Sequence, residues 1–315
     1  MLVKTQPPTR VLDVGPSDGS KHPFLHLSGA DVQEWVALSH CWGQSQPLRT
    51  TIESLSAHQQ ALPMNKLPKL FHDAVLITRW LGYRHLWVDS LCIIQDSKED
   101  WMREISNMGS IYKNCVFTIS ADHCRDSNDN ILGNRVPVAI NYVQQGFHSS
   151  QEGFRGVAYA FSWQESRQDR WFLGSRAWGL QEFILSPRTI QWTPLQLMWT
   201  CRCTTRSEEN PTEAEPQTVS SALYYPTKVI CMSRERLEAA KVEKLKHHSD
   251  AGECDPLQIW YHMVREFCIR NIRFEEDSLP AISGRLAREV KRHTGYDYHA
   301  GIRAQDYHNG LLWSV

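Results

Sequence analysis

The sequence predicts an α/β protein in which helices flank a parallel sheet, with a long insertion and a mainly helical C-terminal region. Three observations predict it. Compact apolar runs at 35–39, 85–88 and 116–120 read as buried strands. Helical periodicity fills the two intervals between them. Polar residues collect where the runs end, as Ser39-His40-Cys41-Trp42, Asp89-Ser90-Leu91-Cys92 and Ser120-Ala121-Asp122-His123. Strands alternating with helices over such connections favour parallel pairing, and ligands of parallel sheets sit beyond the carboxyl ends of the strands.

The elements follow in order. Val11-Leu12-Asp13-Val14-Gly15 reads as a short strand and Pro16-Ser17-Asp18-Gly19 as a turn, so residues 1–34 form an expected strand and turn extension. Trp35 opens the first buried strand, and Gly43 beyond its end permits a sharp turn. Leu67, Leu70, Phe71, Ala74, Val75, Ile77, Trp80 and Leu81 follow a helical period, opened near Pro68 and closed by Gly82. His85-Leu86-Trp87-Val88 runs into Asp89, a position where an Asp either orders the next loop or lines a site. Ser97 and Asp100 form a capping box for a helix with apolar positions Trp101, Ile105, Met108 and Ile111. Residues 122–175 are polar and irregular, an expected insertion or lid in which 136–143 and 156–163 can hide strands. A helix starts near Arg176, and strands at 189–192 and 197–200 complete a domain over 35–205. Residues 207–220, rich in Glu, Pro and Thr, read as an exposed loop. The region 206–315 then carries helices at 233–247, 256–273 and 279–293, expected to pack on that domain.

Composition narrows the function. The 315 residues carry a formal net charge of −1, which argues against general nucleic-acid binding, since that needs a basic surface. No apolar stretch is long enough for a membrane span and the first residues carry no signal-peptide pattern, so a cytoplasmic protein is expected. The nine cysteines are odd in number and lack scaffold spacing, which suggests free thiols in a reduced compartment. Cys201 and Cys203 with His247, His248 and Cys254 offer a weak metal set, and no metal is expected. Neither G-x-x-x-x-G-K-[ST] nor G-x-G-x-x-G occurs, which disfavours a P-loop enzyme and an ordinary Rossmann dehydrogenase. The 12 tryptophans are many for this length; most are expected in the core, and the abundance leaves spare aromatics for a ligand site.

The most informative stretch is Ser175-Arg176-Ala177-Trp178-Gly179-Leu180-Gln181-Glu182. Four residues make about one helical turn, so Trp178 and Glu182 project from one face. A core Trp beside a Glu paired with Arg176 is the plain alternative. Together with Ser39-His40-Cys41-Trp42-Gly43, Leu86-Trp87-Val88-Asp89-Ser90-Leu91-Cys92 and Trp101-Met102-Arg103-Glu104 through Ile111-Tyr112, this stretch resembles the fungal heterokaryon-incompatibility (HET) domain family in order and spacing. The resemblance covers about 35–192. Gly179 and Phe183 depart from it, standing where a Thr and an Arg or Lys are expected.

The resemblance implies a role in self/non-self recognition that ends in cell death. It further implies a TIR-like, flavodoxin-like fold, and TIR domains cleave NAD at the nicotinamide–ribose bond with a Glu four residues after a Trp. On that analogy Glu182, Asp89 and His40 are candidate catalytic residues, and Ser39, Cys41, Trp42, Gly43, Arg176 and Trp178 candidate substrate-binding residues. Glu182 would stabilise the ribosyl cation, Trp178 or Trp42 would stack on nicotinamide, and Arg176 would meet the pyrophosphate. NAD would be substrate, with no cofactor. Cys41 as a nucleophile is weaker than a buried structural thiol, because neighbours in a strand face opposite ways. The expected partners are a small nucleotide or metabolite, and a second copy or signalling partner, since TIR-like sites are often completed between protomers. A non-enzymatic assembly module and a metabolic acid–base enzyme reusing the fold remain open beside the cleavage reading.

Overall fold

The structure is a computed structural model and describes residues 6–43, 48–133, 172–194, 196–202, 204–208, 256–272, 278–299 and 302–310. Eight short strands form one mixed sheet: β1 (Arg10–Asp13), β2 (Phe24–Leu27), β3 (Val36–Ser39), β4 (His85–Trp87), β5 (Thr118–Ser120), β6 (Arg188–Trp192), β7 (Leu197–Cys201) and β8 (Thr205–Ser207). Their spatial order is β2-β1-β4-β3-β5-β6-β7-β8. The four central strands, β4-β3-β5-β6, are parallel, and the outer strands pair antiparallel. The sheet is thus parallel at its centre, as expected, with antiparallel wings. Taken alone, the parallel strands run in the order second, first, third, fourth, which is the start of the flavodoxin-like order. That order reverses direction between β3 and β5, and a ligand crevice is expected at such a switch point.

Helices α1 (Leu55–Gln60) and α2 (Lys69–Trp80) link β3 to β4, while α3 (Asp89–Cys92) and α4 (Lys98–Asn114) link β4 to β5. These crossovers run in opposite directions, which puts α2 and α4 on opposite faces of the sheet. The α4 start is the expected one: Ser97 Oγ accepts from the Asp100 backbone N–H at 3.3 Å. Helix α2 ends where Gly82 takes φ +81°. The core between sheet and helices holds Trp35, Trp87, Phe71, Leu38 and Tyr112, each nearly or fully buried. The indole N–H of Trp35 donates to the Ile111 carbonyl at 3.1 Å, so its burial leaves no unpaired donor.

Three expectations about faces need correction. Trp101 is 38% exposed, because the buried face of α4 runs through Asp100, Glu104, Met108, Ile111 and Tyr112, about 100° away. Asp100 and Glu104 tolerate burial because Arg10 and Thr9 bond them. Trp80 and Leu81, at the end of α2, are 64% and 48% exposed where the chain turns away. Strand β2, strand β8 and the one-turn helix α3 were not foreseen.

The described chain runs to residue 133 and resumes at 172, where α5 (Ala177–Leu185) follows, then α6 (Pro256–Cys268), α7 (Ser278–Ile282) and α8 (Gly284–Thr294). The helix expected over 279–293 is two helices, broken at Ser283. A two-stranded ribbon, β9 (Tyr298–His299) with β10 (Ile302–Arg303), and a short α9 (Tyr307–Gly310) follow. Helices α4, α6 and α7 pack on α5. The strands expected at 136–143 and 156–163, the loop at 209–220 and the helix at 233–247 lie outside the described residues, as do Cys203, His247, His248 and Cys254. Among the described residues no helix is long and apolar enough to cross a membrane, and no group of His, Cys, Asp or Glu is arranged to hold a metal.

Candidate functional site

Register decides which side chains reach the switch point. Ser39, Ser120 and Gln191 are successive register partners across β3, β5 and β6, so they form a row on one face. Leu38, Ile119 and Ile190 form the alternating apolar row on the other. Helix α5 covers the polar row: Thr118 and Ser186 hydroxyls bond at 2.6 Å, and Ser186 Oγ donates to the Glu182 carbonyl at 2.6 Å. This seating brings the Glu182 carboxylate over the end of β3, where it accepts a hydrogen bond from Ser39 Oγ.

Glu182 is 1% exposed. Burial raises its pKa, opposed by the Arg176 charge and the Ser39 bond, and the Asp89 charge raises it further. Tyr112 also acts on Glu182. The Tyr112 hydroxyl donates to the Leu38 carbonyl at 3.0 Å, and burial followed by the Glu182 and Asp89 charges pushes its pKa well up. Tyr112 was legible as part of a motif, yet nothing in the sequence marked it as a neighbour of Glu182.

Arg176 caps α5 from outside and is half-buried. Its Nη1 donates to the His40 carbonyl, joining the start of α5 to the end of β3. Burial opposes its charge, but Glu182, Cys41 and Asp89 offset that, so its pKa is raised. Its backbone is tied to the C-terminal region: Asn271 N–H donates to the Ser175 carbonyl at 2.6 Å, and Ala177 N–H to the Asn271 carbonyl at 3.0 Å. No sequence signal pointed to that tie.

The remaining candidates divide into floor and rim. His40 is 1% exposed, edge-on to Phe71 at 5.1 Å, and burial lowers its pKa to about 4, so it is neutral at physiological pH. Its Nδ1 lies 3.7 Å from Asp89 Oδ1, and among the described residues neither ring nitrogen has a hydrogen-bond partner. Asp89 begins α3, accepts the Ser90 N–H at 2.7 Å and accepts Trp42 Nε1–H at 2.8 Å. It therefore both orders the turn and reaches the site. Cys41 is buried, and burial raises its thiol to about 11 despite the nearby Arg176, which leaves almost no thiolate at neutral pH. Trp42, Arg176 and Trp178 are half-buried and Gly43 is exposed, so these four form the rim. Gly43 holds φ +70°, and a Cβ there would lie 2.3 Å from the Asp126 Cβ, so the rim passes too close for a side chain.

The departures from the expected motif have local causes. Gly179 is buried against the turn before α5, where a Cβ would lie 3.0 Å from the Leu173 carbonyl oxygen. Phe183 is 9% exposed and belongs to the core.

A buried carboxylate, a hydroxyl, a neutral imidazole and a guanidinium are thus gathered at the carboxyl ends of parallel strands, with the Trp42 indole bonded to Asp89 beside them. The segment from 35 to 182 matches the family model described as heterokaryon incompatibility protein (HET). No curated protein and no solved structure matches the chain.

Proposed function

From the premise that residues 35–182 are a heterokaryon-incompatibility (HET) domain, we propose that the protein is a self/non-self effector that cleaves NAD at the nicotinamide–ribose bond and so kills the cell. The incompatibility role follows from the domain. The cleavage reading rests chiefly on one observation: Glu182 is a buried carboxylate with a raised pKa at the switch point of a parallel sheet.

Breaking the N-glycosidic bond leaves positive charge on the ribose, while nicotinamide departs neutral and needs no strong acid. A desolvated carboxylate gains most from a cation that develops beside it in the transition state. Glu182 supplies that carboxylate, and the Ser39 hydroxyl fixes its orientation. Arg176 opposes the negative charge of a pyrophosphate, and Trp42 or Trp178 offers a flat face to the departing ring. Expression of the wild type, with and without forced clustering, is expected to deplete NAD and release nicotinamide. Glu182→Gln is expected to lower the rate about 100-fold or more. Undiminished NAD in wild-type cells that nevertheless die would overturn the catalytic part.

A second reading is supported by the 1% exposure of Glu182 and the 3% exposure of Ser39. In it the pair is an internal strut of a non-enzymatic assembly module. Glu182→Gln would then leave killing unchanged in a folded protein.

A further inference from the structure

Asp122, two residues past β5, repeats the setting of Glu182. Ser39 and Ser120 are register partners on neighbouring parallel strands, whose axes lie about 4.8 Å apart. Ser39 donates its hydroxyl to Glu182, and Ser120 donates its hydroxyl to Asp122 Oδ1 at 2.8 Å. Positive charge acts on both carboxyls: Arg176 on Glu182, and on Asp122, after burial and the Ser120 and Gln191 bonds, His123 and then Arg270. The arginines are themselves joined, since Arg270 Nη1 donates to the Arg176 carbonyl at 3.4 Å. The Cys41 thiol feels both carboxylates: burial raises its pKa, Arg176 opposes that, and the Glu182 and Asp122 charges each raise it further. The site also holds a buried imidazole: among the described residues neither ring nitrogen of His40, adjacent to Ser39, has a hydrogen-bond partner, and its neighbour Asp89 acts on Glu182.

We propose that Asp122 is a second catalytic carboxyl of the site, the acceptor of the proton from the water that replaces nicotinamide. This rests on the cleavage reading above. The bond from ribose C1′ to nicotinamide nitrogen breaks with its electron pair leaving on nicotinamide. Water oxygen then bonds C1′, and one water proton passes to the Asp122 carboxylate. The products are ADP-ribose, nicotinamide and a protonated Asp122 that returns its proton to solvent. Burial, opposed by the bonds from Ser120 and Gln191, pushes Asp122 up to about 6. It is then ionised at neutral pH and still basic enough to take the proton. Gln191 Nε2 holds the second oxygen at 2.9 Å, and Thr200 Oγ1 in turn bonds Gln191 Oε1 at 3.1 Å, which fixes the amide.

Hydrolysis and base exchange separate the roles. Labelled nicotinamide attacking C1′ has no proton to lose, so its exchange into NAD requires Glu182 but not Asp122. Asp122→Asn is expected to lower hydrolysis about 100-fold and leave exchange within about threefold. Equal loss of both would make Asp122 structural, and unimpaired hydrolysis would remove it from the reaction. Gln191→Leu, which keeps Asp122, is expected to move the acid limb of the hydrolysis profile to higher pH while leaving exchange in place; an unmoved limb overturns the assignment. If wild-type protein neither hydrolyses nor exchanges, the cleavage reading itself fails, a result visible without any variant.

Discussion

Asp100 and Glu182 are both buried carboxylates within reach of an arginine, yet their pKa values move in opposite directions. At Asp100, on α4, burial is outweighed by Arg10, the Ile94 backbone N–H and Arg103, and the pKa is lowered. At Glu182 burial prevails over Arg176 and Ser39, and the pKa is raised. Asp100 is saturated with donors and ties the first strand to the helix behind the sheet. Glu182 has fewer donors and holds its charge at a cost. The first pattern makes a joint; the second holds a group ready for a positive partner, as pKa values displaced by desolvation do at reactive sites.

Stability is the sharpest way to break this contrast. Asp100→Asn leaves the nearly buried Arg10 without its anion and is expected to cost about 3–5 kcal/mol. Glu182→Gln keeps an acceptor for Ser39 and removes the ionisation cost, so it is expected to change stability by less than about 1 kcal/mol, or to raise it. Denaturant midpoints at pH 7 measure both. Equal losses would mean that Glu182 is a joint like Asp100.

Titration sharpens the same contrast. A lowered carboxyl contributes stability above its unfolded pKa and loses it as pH falls, so the gap between wild type and Asp100→Asn should narrow below about pH 4. A raised carboxyl behaves inversely: its contribution is full below the unfolded value and is lost as pH rises through the folded one. Asp122 moves from 3.8 to about 6. The stability of wild type relative to Asp122→Asn should therefore drop by roughly 3 kcal/mol between pH 4 and 7 and stay level above. A flat difference across that window would place Asp122 with Asp100. The smallest effect concerns the rim. Gly43→Ala adds a Cβ at positive φ against Asp126 and is expected to cost about 2 kcal/mol, read as a shift in thermal midpoint. No shift would mean that the rim yields easily.

Much of the architecture was legible because it is local. The strands at 35–39 and 85–88 announce themselves through the apolar runs 35–38 and 86–88, and Ser97 announces α4 through its own capping chemistry. The gathering of polar residues at the strand ends was legible too, because those residues directly follow the apolar runs. What could not be read is pairing at a distance. Ser39 meets Glu182 across 143 residues, and Arg10 meets Asp100 across 90. Neither pair carries a spacing rule. The exposure of Trp101 escaped for a related reason: helical periodicity does not say that Asp100 and Glu104 will find partners worth burying them for. Strand β2 was missed because Phe24-Leu25-His26-Leu27 is short and buries only Leu25, and it exists by pairing with β1.

The backbone bridge between Arg176 and Asn271 bears on how this domain can be inherited or transplanted. The family segment ends at 182, on the very helix that carries the key carboxylate. That helix is moored by a strand-like contact nearly a hundred residues later and is packed by α6 and α7. The matched segment is therefore not a self-sufficient cassette. A chimera that exchanges 35–182 alone would import a Glu182 whose mooring was shaped by a different tail. The smallest unit that can move intact between proteins extends at least through Asn271.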